Sequence, residues 1–187
     1  HKWNYQPITP EQAETSQTLA QELGISPILG QLLVQRGITK AADAKKFFRP
    51  QLPDLHDPFL MKDMEKAVER VERAVANQEK IMVYGDYDVD GCTAVALVYK
   101  FLRQIGHKNL MFYIPDRYTE GYGISIKGID LAARKGVGLI IALDCGIKAT
   151  EKVVYAKTKG VDFIICDHHL PAEEIAKAVA VLDPKRV

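Results

Sequence analysis

The sequence predicts an α/β fold, a parallel β-sheet with helices on both faces, preceded by a small helical amino-terminal region. Three observations carry that expectation. From residue 80 onward, short apolar runs rich in β-branched residues alternate with helix-like segments, the pattern of strands buried on both faces. Each run closes on an aspartate. Before that point only helical patterns occur, which divides the chain into a helical lead-in and linker at residues 1–78 and a sheet domain at residues 79–187.

The lead-in is expected to hold helices at Glu11–Leu23 after a Thr-Pro start, at Pro27–Arg36 ending at Gly37, and at Thr39–Phe48 opening on a capping threonine. The stretch RPQLPDLHDPF, with three prolines, interrupts regular structure. A further helix is expected over Lys62–Asn77, where Met64, Val68, Val71 and Val75 form one apolar stripe flanked by Lys, Arg and Glu. The strands are read as IMVYGD, LMFYIPD, GLIIALD, DFIICD and AVAVLD, with helices between them at Thr93–Ile105, Ile126–Lys135, Ala149–Lys159 and Ala172–Ala176. In an open parallel sheet all carboxyl ends share one edge, where ligands bind. The terminal aspartates Asp86, Asp116, Asp144, Asp167 and Asp183 are thereby gathered from distant parts of the chain.

Composition excludes several classes. With 187 residues, 47% hydrophobic and 26% charged, the chain is an ordinary globular protein rather than a disordered or fibrous one. No apolar run approaches the roughly 20 residues of a membrane helix, and HKWNYQPITPEQ is too polar for a signal peptide, so a cytoplasmic location is expected. Cys92, Cys145 and Cys166 lack zinc-type spacing and are expected to be inert thiols, two of them within strands. A net charge of +1 does not announce a nucleic-acid binder.

The chemistry sits in two motifs. GDYDVDG places Asp86, Asp88 and Asp90 within five residues at a strand end, a repulsive arrangement that a cation would relieve. An EF-hand loop would need Glu at its twelfth position, which is Leu97, and a helix before it rather than a strand. The segment is therefore expected to be a strand-to-helix turn in which Gly91 permits the bend and the amides of Cys92 and Thr93 favour an anion. The second motif, Asp167-His168-His169, lies on the same edge; in a turn both imidazoles can reach one site, as metal ligand and as phosphate contact or general acid. Oxygen ligands with imidazole suit Mn²⁺ or Mg²⁺ better than zinc. Several carboxylates suggest two ions, and two ions about 3.5 to 4 Å apart serve phosphodiester hydrolysis. In YIPDRYTEGYGIS, Arg117 offers a planar fork to phosphate, while Gly121 and Gly123 allow close backbone approach.

These residues together resemble the DHH phosphoesterase superfamily. Within it the chain is similar to the amino-terminal part of the bacterial single-strand-specific exonucleases, through RGITKAADAKKFF, LHDPFLMKDMEKAVERV, VYGDYDVDGCTA, PDRYTEGYG, LIIALDCGI and FIICDHHLP. The resemblance implies metal-site roles for Asp86, Asp88, Asp144, His168 and His169. It makes Asp90 and Asp167 motif members that either touch metal or brace its ligands, and puts Arg117 by the phosphate of the strand end. It implies removal of mononucleotides from single-stranded DNA in the 5′-to-3′ direction with Mn²⁺ or Mg²⁺, in repair and recombination, with single-strand-binding protein and a helicase as partners. Such enzymes continue with more sheet, another metal-binding aspartate, a DHHA1 domain and an OB-fold, so the chain is expected to be a fragment that binds metal weakly and cuts little by itself. Asp183 stands where the family often has Asn. The alternatives are a small-substrate phosphodiesterase of the nanoRNase or cyclic-dinucleotide type, which carries histidine where this chain has Met82, and a replication scaffold that has lost its motif ligands.

Overall fold

A computed structural model describes residues 7–186. Residues 1–6, part of the polar amino terminus expected not to be a signal peptide, and Val187 lie outside the described residues. The chain divides into two compact units, His1–His56 and Asp57–Val187.

The first unit contains α1 (Pro10–Leu23), α2 (Pro27–Gln35) and α3 (Ala41–Phe48). Thr9 and Gln12 close a reciprocal capping box at the start of α1, and Ser26 caps α2. Leu19, Leu33, Val34 and Ala44 form its small core. The expected cap at Thr39 is displaced, because α3 starts at Ala41 with Lys40 in the cap position and no side-chain cap. The proline-rich stretch contributes only two single 3₁₀ turns, Leu52–Asp54 and Pro58–Leu60.

The second unit is built from α4 (Met64–Ala76), β1 (Lys80–Gly85), α5 (Val89–Gln104), β2 (Leu110–Tyr113), α6 (Ile126–Arg134), β3 (Val137–Leu143), α7 (Thr150–Thr158), β4 (Asp162–Cys166) and β5 (Ala180–Leu182). All five strands are parallel, in the order β2-β1-β3-β4-β5. Strand alternation separates two cores. Met82, Tyr84, Ile140, Ala142, Phe163 and Ile165 pack with Ile129 and Ala132 of α6 and Val153 and Ala156 of α7. Ile81, Val83, Leu139, Ile141, Leu143 and Ile164 pack with Ala67 and Ala74 of α4 and Val95 and Leu102 of α5. Helices thus cover both faces, as the continuous apolar runs require.

Three expectations need correction. First, α4 belongs to the sheet unit, so the boundary falls after His56 and not after residue 78. Its buried line runs through Ala67, Arg70 and Ala74 rather than along Met64 and Val68. Arg70 is 4% exposed because its guanidinium is used up: it bonds Glu79 through both Nη atoms at 2.7 and 2.8 Å and Asp162 through Nε at 2.8 Å. Second, α5 begins at Val89 and not at Thr93, which draws Asp90 and Gly91 into the helix. Third, Ala172–Ala176 forms no helix; five residues after a proline are too few to offset helix nucleation, and the segment leads into β5, just before which Val179 N–H bonds Phe163 O at 2.9 Å.

Replacing Arg70 with Met is expected to destabilise the fold by about 2 kcal/mol in urea denaturation, less than the loss of a fully buried pair, because both carboxylates keep some water. Arg70 holds Glu79 below the usual carboxylate range, a depressed folded-state pKa. The gap between wild type and variant should therefore be full above the ordinary Glu range and close as pH falls through the lowered one. An unchanged midpoint at neutral pH would count against this role.

Candidate metal centre

Sheet register assembles the site. Gly85, Leu143, Cys166 and Leu182 are paired across β1, β3, β4 and β5, so the next residues, Asp86, Asp144, Asp167 and Asp183, leave the sheet on one rung. The chain runs from β1 to β2 on one side and returns to β3 on the other, making the β1/β3 boundary the topological switch point where such sheets bind ligands. Asp86 and Asp144 flank that boundary. Asp116 falls one position later, since Tyr84 pairs with Tyr113, and it serves its own loop: Oδ1 accepts from the amides of Tyr118 and Thr119 at 3.0 and 2.8 Å.

At the β1 end, Asp86 is 1% exposed and its Oδ1 has no hydrogen-bond partner among the described residues. An ionised buried oxygen in that condition is costly unless a cation satisfies it. Asp88 caps α5, its Oδ1 accepting from Gly91 N at 3.0 Å, and it remains exposed together with Asp90. The amide of Cys92 bonds the Asp88 carbonyl, and Thr93 lies a residue deeper in the helix, so the anion site expected at these two amides does not form there. Gly91 has a different role from the bend assigned to it. A Cβ there would lie 2.5 Å from Asp86 O and 2.6 Å from Asp86 N, so its missing side chain lets α5 press against the strand end.

At the β3 end, Asp144 adopts a left-handed backbone with φ 61°, a conformation more tolerable for Asp than for most side chains. His168 Nε2 lies 2.9 Å from Asp144 Oδ1. One ligand atom each from Asp144, His168 and His169 fall within 4.8 Å of one another. Burial and the nearby Asp88 charge push the Asp144 carboxyl upward, against the pull of His168. The oxygen and imidazole donors, the orphaned Asp86 oxygen and the mutual repulsion of Asp88 and Asp144 all fit a divalent cation. A cleft of about 420 Å³ is lined by Asp90, Asp144, Asp167 and His168 together.

Asp167 resolves into a brace. Its Oδ2 accepts from Ile147 N at 2.9 Å, while Oδ1 takes the amides of His168 and His169 at 2.7 and 3.1 Å and lies 2.7 Å from His169 Nδ1. Burial opposes its ionisation, yet these donors hold its pKa below the usual range. Such a carboxylate fixes the orientation of its histidine. Asp183 is also buried; Oδ1 accepts from Lys185 N at 2.7 Å, and Oδ2 has no partner among the described residues.

The loop after β2 completes the rim. Arg117 Cζ sits 4.6 Å from the centre of the Tyr87 ring, beside Asp86 and Asp88. Gly121 and Gly123 have φ values of 75° and 82° with open space around them. They shape the loop, and Gly123 O accepts from buried Tyr84 Oη at 3.0 Å. Glu120 anchors it through Tyr113 Oη and Ser125 Oγ, both at 2.6 Å; although burial resists its charge, these bonds lower its pKa to about 2. Sequence reasoning missed Glu120, Tyr87 and Tyr122. Tyr122 Oη bonds Asp144 O at 3.3 Å and lies 3.2 Å from His169 Nε2. The only local signal was the position of Tyr122 between the two loop glycines and of Tyr87 between two motif aspartates.

Of the three cysteines, Cys166 lines the cleft beside Asp167 and the other two do not. Cys145 is buried and its thiol is pushed up by desolvation; Cys166 is pushed up to about 12 for the same reason, with Asp167 adding to it. Cys92 is exposed. A thiol reagent is expected to label Cys92 in the native protein and buried Cys145 only after unfolding; rapid labelling of Cys145 would contradict this packing.

Fold and site together define a doubly wound α/β protein with a carboxylate- and imidazole-lined candidate metal centre at its switch point. Residues 80–187 match the DHH family, N-terminal domain, and the chain belongs to the DHH family. Among curated relatives it is 39% identical over 185 residues to the single-stranded-DNA-specific exonuclease RecJ of Bacillus subtilis, covering 99% of this chain and 23% of that protein. It is 32% identical over 179 residues to RecJ of Escherichia coli, covering 96% and 30%. The chain therefore spans about a quarter of the length of these relatives. A crystal structure of exonuclease RecJ bound to manganese matches 70% of this chain and 33% of that one, with a TM-score of 0.63 and 28% identity. RecJ of Thermus thermophilus in complex with Mn²⁺ matches 98% and 25%, with a TM-score of 0.70; at 22% identity it attests the fold alone.

Proposed function

We propose that this chain is the amino-terminal part of a metal-dependent exonuclease that removes mononucleotides from single-stranded DNA in the 5′-to-3′ direction, in DNA repair and recombination in the cytoplasm. The observation that carries the reading is the common rung of Asp86, Asp144 and Asp167, with His168 returning to within 2.9 Å of Asp144. The likeness to RecJ, whose printed names state the substrate and the manganese, supplies the substrate class. Asp86, Asp88, Asp144 and His168 would hold Mn²⁺ or Mg²⁺, in two copies in the whole enzyme. When bound, these ions supply Lewis acidity toward the phosphoryl group and an acidified water for its attack.

The chain's own residues perform the remaining tasks. Arg117, held over Tyr87, directs a fork of donors at the phosphate of the strand end. His169, fixed by Asp167 and Tyr122, serves as phosphate contact or general acid to the leaving oxygen. Asp90, on the first turn of α5, faces the cleft and orients the entering water or the donors beside it. Single-strand-binding protein and a helicase would present the strand to the whole enzyme.

The full-length protein should degrade a single-stranded oligonucleotide from its 5′ end in Mn²⁺ and spare duplex. Attack from the 3′ end, or equal attack on duplex, would end this reading. For the chain by itself, weak Mn²⁺ binding and little cleavage are expected, and Asp88→Ala should reduce the calorimetric heat. Identical heats would remove Asp88 from the centre.

A further inference from the structure

His168 is held from three directions. Its amide donates to Asp167 Oδ1 at 2.7 Å, its ring Nε2 lies 2.9 Å from Asp144 Oδ1, and its carbonyl accepts from Lys185 Nζ. The first two partners belong to the rung of aspartates at the sheet edge. Lys185 comes from elsewhere, from the turn that follows β5.

That turn is built to aim a side chain. Asp183-Pro184-Lys185-Arg186 closes as a β-turn, with Arg186 N–H donating to Asp183 O at 3.2 Å. Pro in its second position presets φ, and Asp in its first accepts from the amide two residues on; Asp183 Oδ1 takes Lys185 N at 2.7 Å. Both feet of the turn are fixed. Asp183 is buried, and Arg186 Nη1 donates to Val181 O and, at 2.8 Å, to Asp63 Oδ2 at the start of α4. Just before the turn, Leu182 O accepts from Asp167 N at 2.9 Å, so the turn and the Asp167-His168-His169 segment leave paired strands side by side. Lys185 is exposed, but the backbone that presents it needs no further ordering, and only side-chain entropy opposes the contact.

Peptide planarity carries this contact to the centre. The His168 carbonyl and the His169 amide belong to one rigid plane, and that amide donates to Asp167 Oδ1 at 3.1 Å. Lys185 at one edge of the plane and Asp167 at the other fix its rotation. The directions in which both histidine side chains leave the backbone are fixed with it.

We propose that Lys185 is a positioning residue of the metal centre, which locks the peptide plane between His168 and His169 and so keeps His168 Nε2 beside Asp144 for a shared cation. This role rests on the metal-ion part of the proposed function, whatever the substrate. Electrostatics alone gives the opposite sign: an ammonium beside His168 repels a divalent cation, so losing it as a bare charge would tighten Mn²⁺ binding, whereas losing it as a support weakens binding.

The test is Mn²⁺ calorimetry and carbonyl-carbon NMR on this chain as wild type, Lys185→Met and Lys185→Arg. Met keeps the length without a donor, and Arg keeps donor and charge. Expected is a Kd about tenfold higher for the Met variant and within about twofold of wild type for the Arg variant. Without metal, the His168 carbonyl resonance should be displaced in the Met variant and restored in the Arg variant, with melting temperatures alike, since an exposed lysine adds little to the fold. Equal or tighter Mn²⁺ binding by the Met variant, an unmoved His168 carbonyl, or failure of Arg to restore affinity would overturn the positioning role. Wild type without Mn²⁺ heat would overturn the metal centre itself, an outcome distinct from wild-type binding that the Met variant matches.

Discussion

Replacing Asp144 with Ala is expected to abolish measurable Mn²⁺ binding in calorimetry while leaving the fold intact. Asp144 is the residue on which the two halves of the candidate centre meet: its Oδ1 lies 2.9 Å from His168 Nε2, and its charge is opposed by Asp88 from the other strand end. Removing a supporting partner of a metal ligand costs roughly 10–100-fold in affinity, and removing a shared carboxylate ligand should cost more. Without metal, the Ala variant loses a like-charge repulsion but must hold Ala in the left-handed region that Asp tolerates better, so its melting temperature should stay near that of wild type or fall slightly. With Mn²⁺ at a hundred times its dissociation constant, wild type should gain about 2.7 kcal/mol and the variant nothing. Asp144→Asn, which keeps the shape and tolerates the backbone, isolates the charge. Equal Mn²⁺ heats for wild type and both variants would show that the centre is elsewhere.

Gly91→Ala is expected to lower stability by about 3 kcal/mol, the upper range for forcing a methyl group into a close-packed contact, and to weaken Mn²⁺ binding as well. The added Cβ would meet the backbone N, C and O of Asp86 at 2.5 to 2.8 Å. Backbone cannot swing aside as a side-chain end can. Either α5 shifts away from β1, carrying Asp88 and Asp90 with it, or the strand end that aims Asp86 deforms. An Ala side chain is otherwise favourable inside a helix, so local propensity predicts the opposite sign. Urea denaturation with a parallel Mn²⁺ titration decides between them; wild-type stability and affinity in the variant would show that this approach does not set the geometry.

The contrast at Gly91 shows where sequence reasoning was strong and where it stopped. Five strands, each closing on Asp, were legible because burial on both faces writes itself as continuous apolar runs. The paired histidines were legible because the motif is local. The start of α5 was not, since Asp90 and Gly91 are weak helix formers, and the Asp88 cap together with the close approach to the end of β1 holds them in the first turn. Nor was the burial of Arg70 within a helix stripe that reads as apolar at Val68 and Val71: its partners Glu79 and Asp162 belong to other elements. The bracing role of Asp167 was left open because it depends on Ile147, which a turn from a different strand delivers.

By itself the sequence determined the secondary-structure type of nearly every segment, the parallel sheet and the set of residues with the right donors for a cation. Those properties follow from side-chain chemistry and from local periodicity, which act within a few residues. Tertiary structure alone decided which aspartates share a rung, which two are left with an orphaned oxygen, which one braces a histidine and which tyrosine closes the rim. These depend on strand register and helix approach, and a shift of one residue in either would send the same side chains to the opposite face.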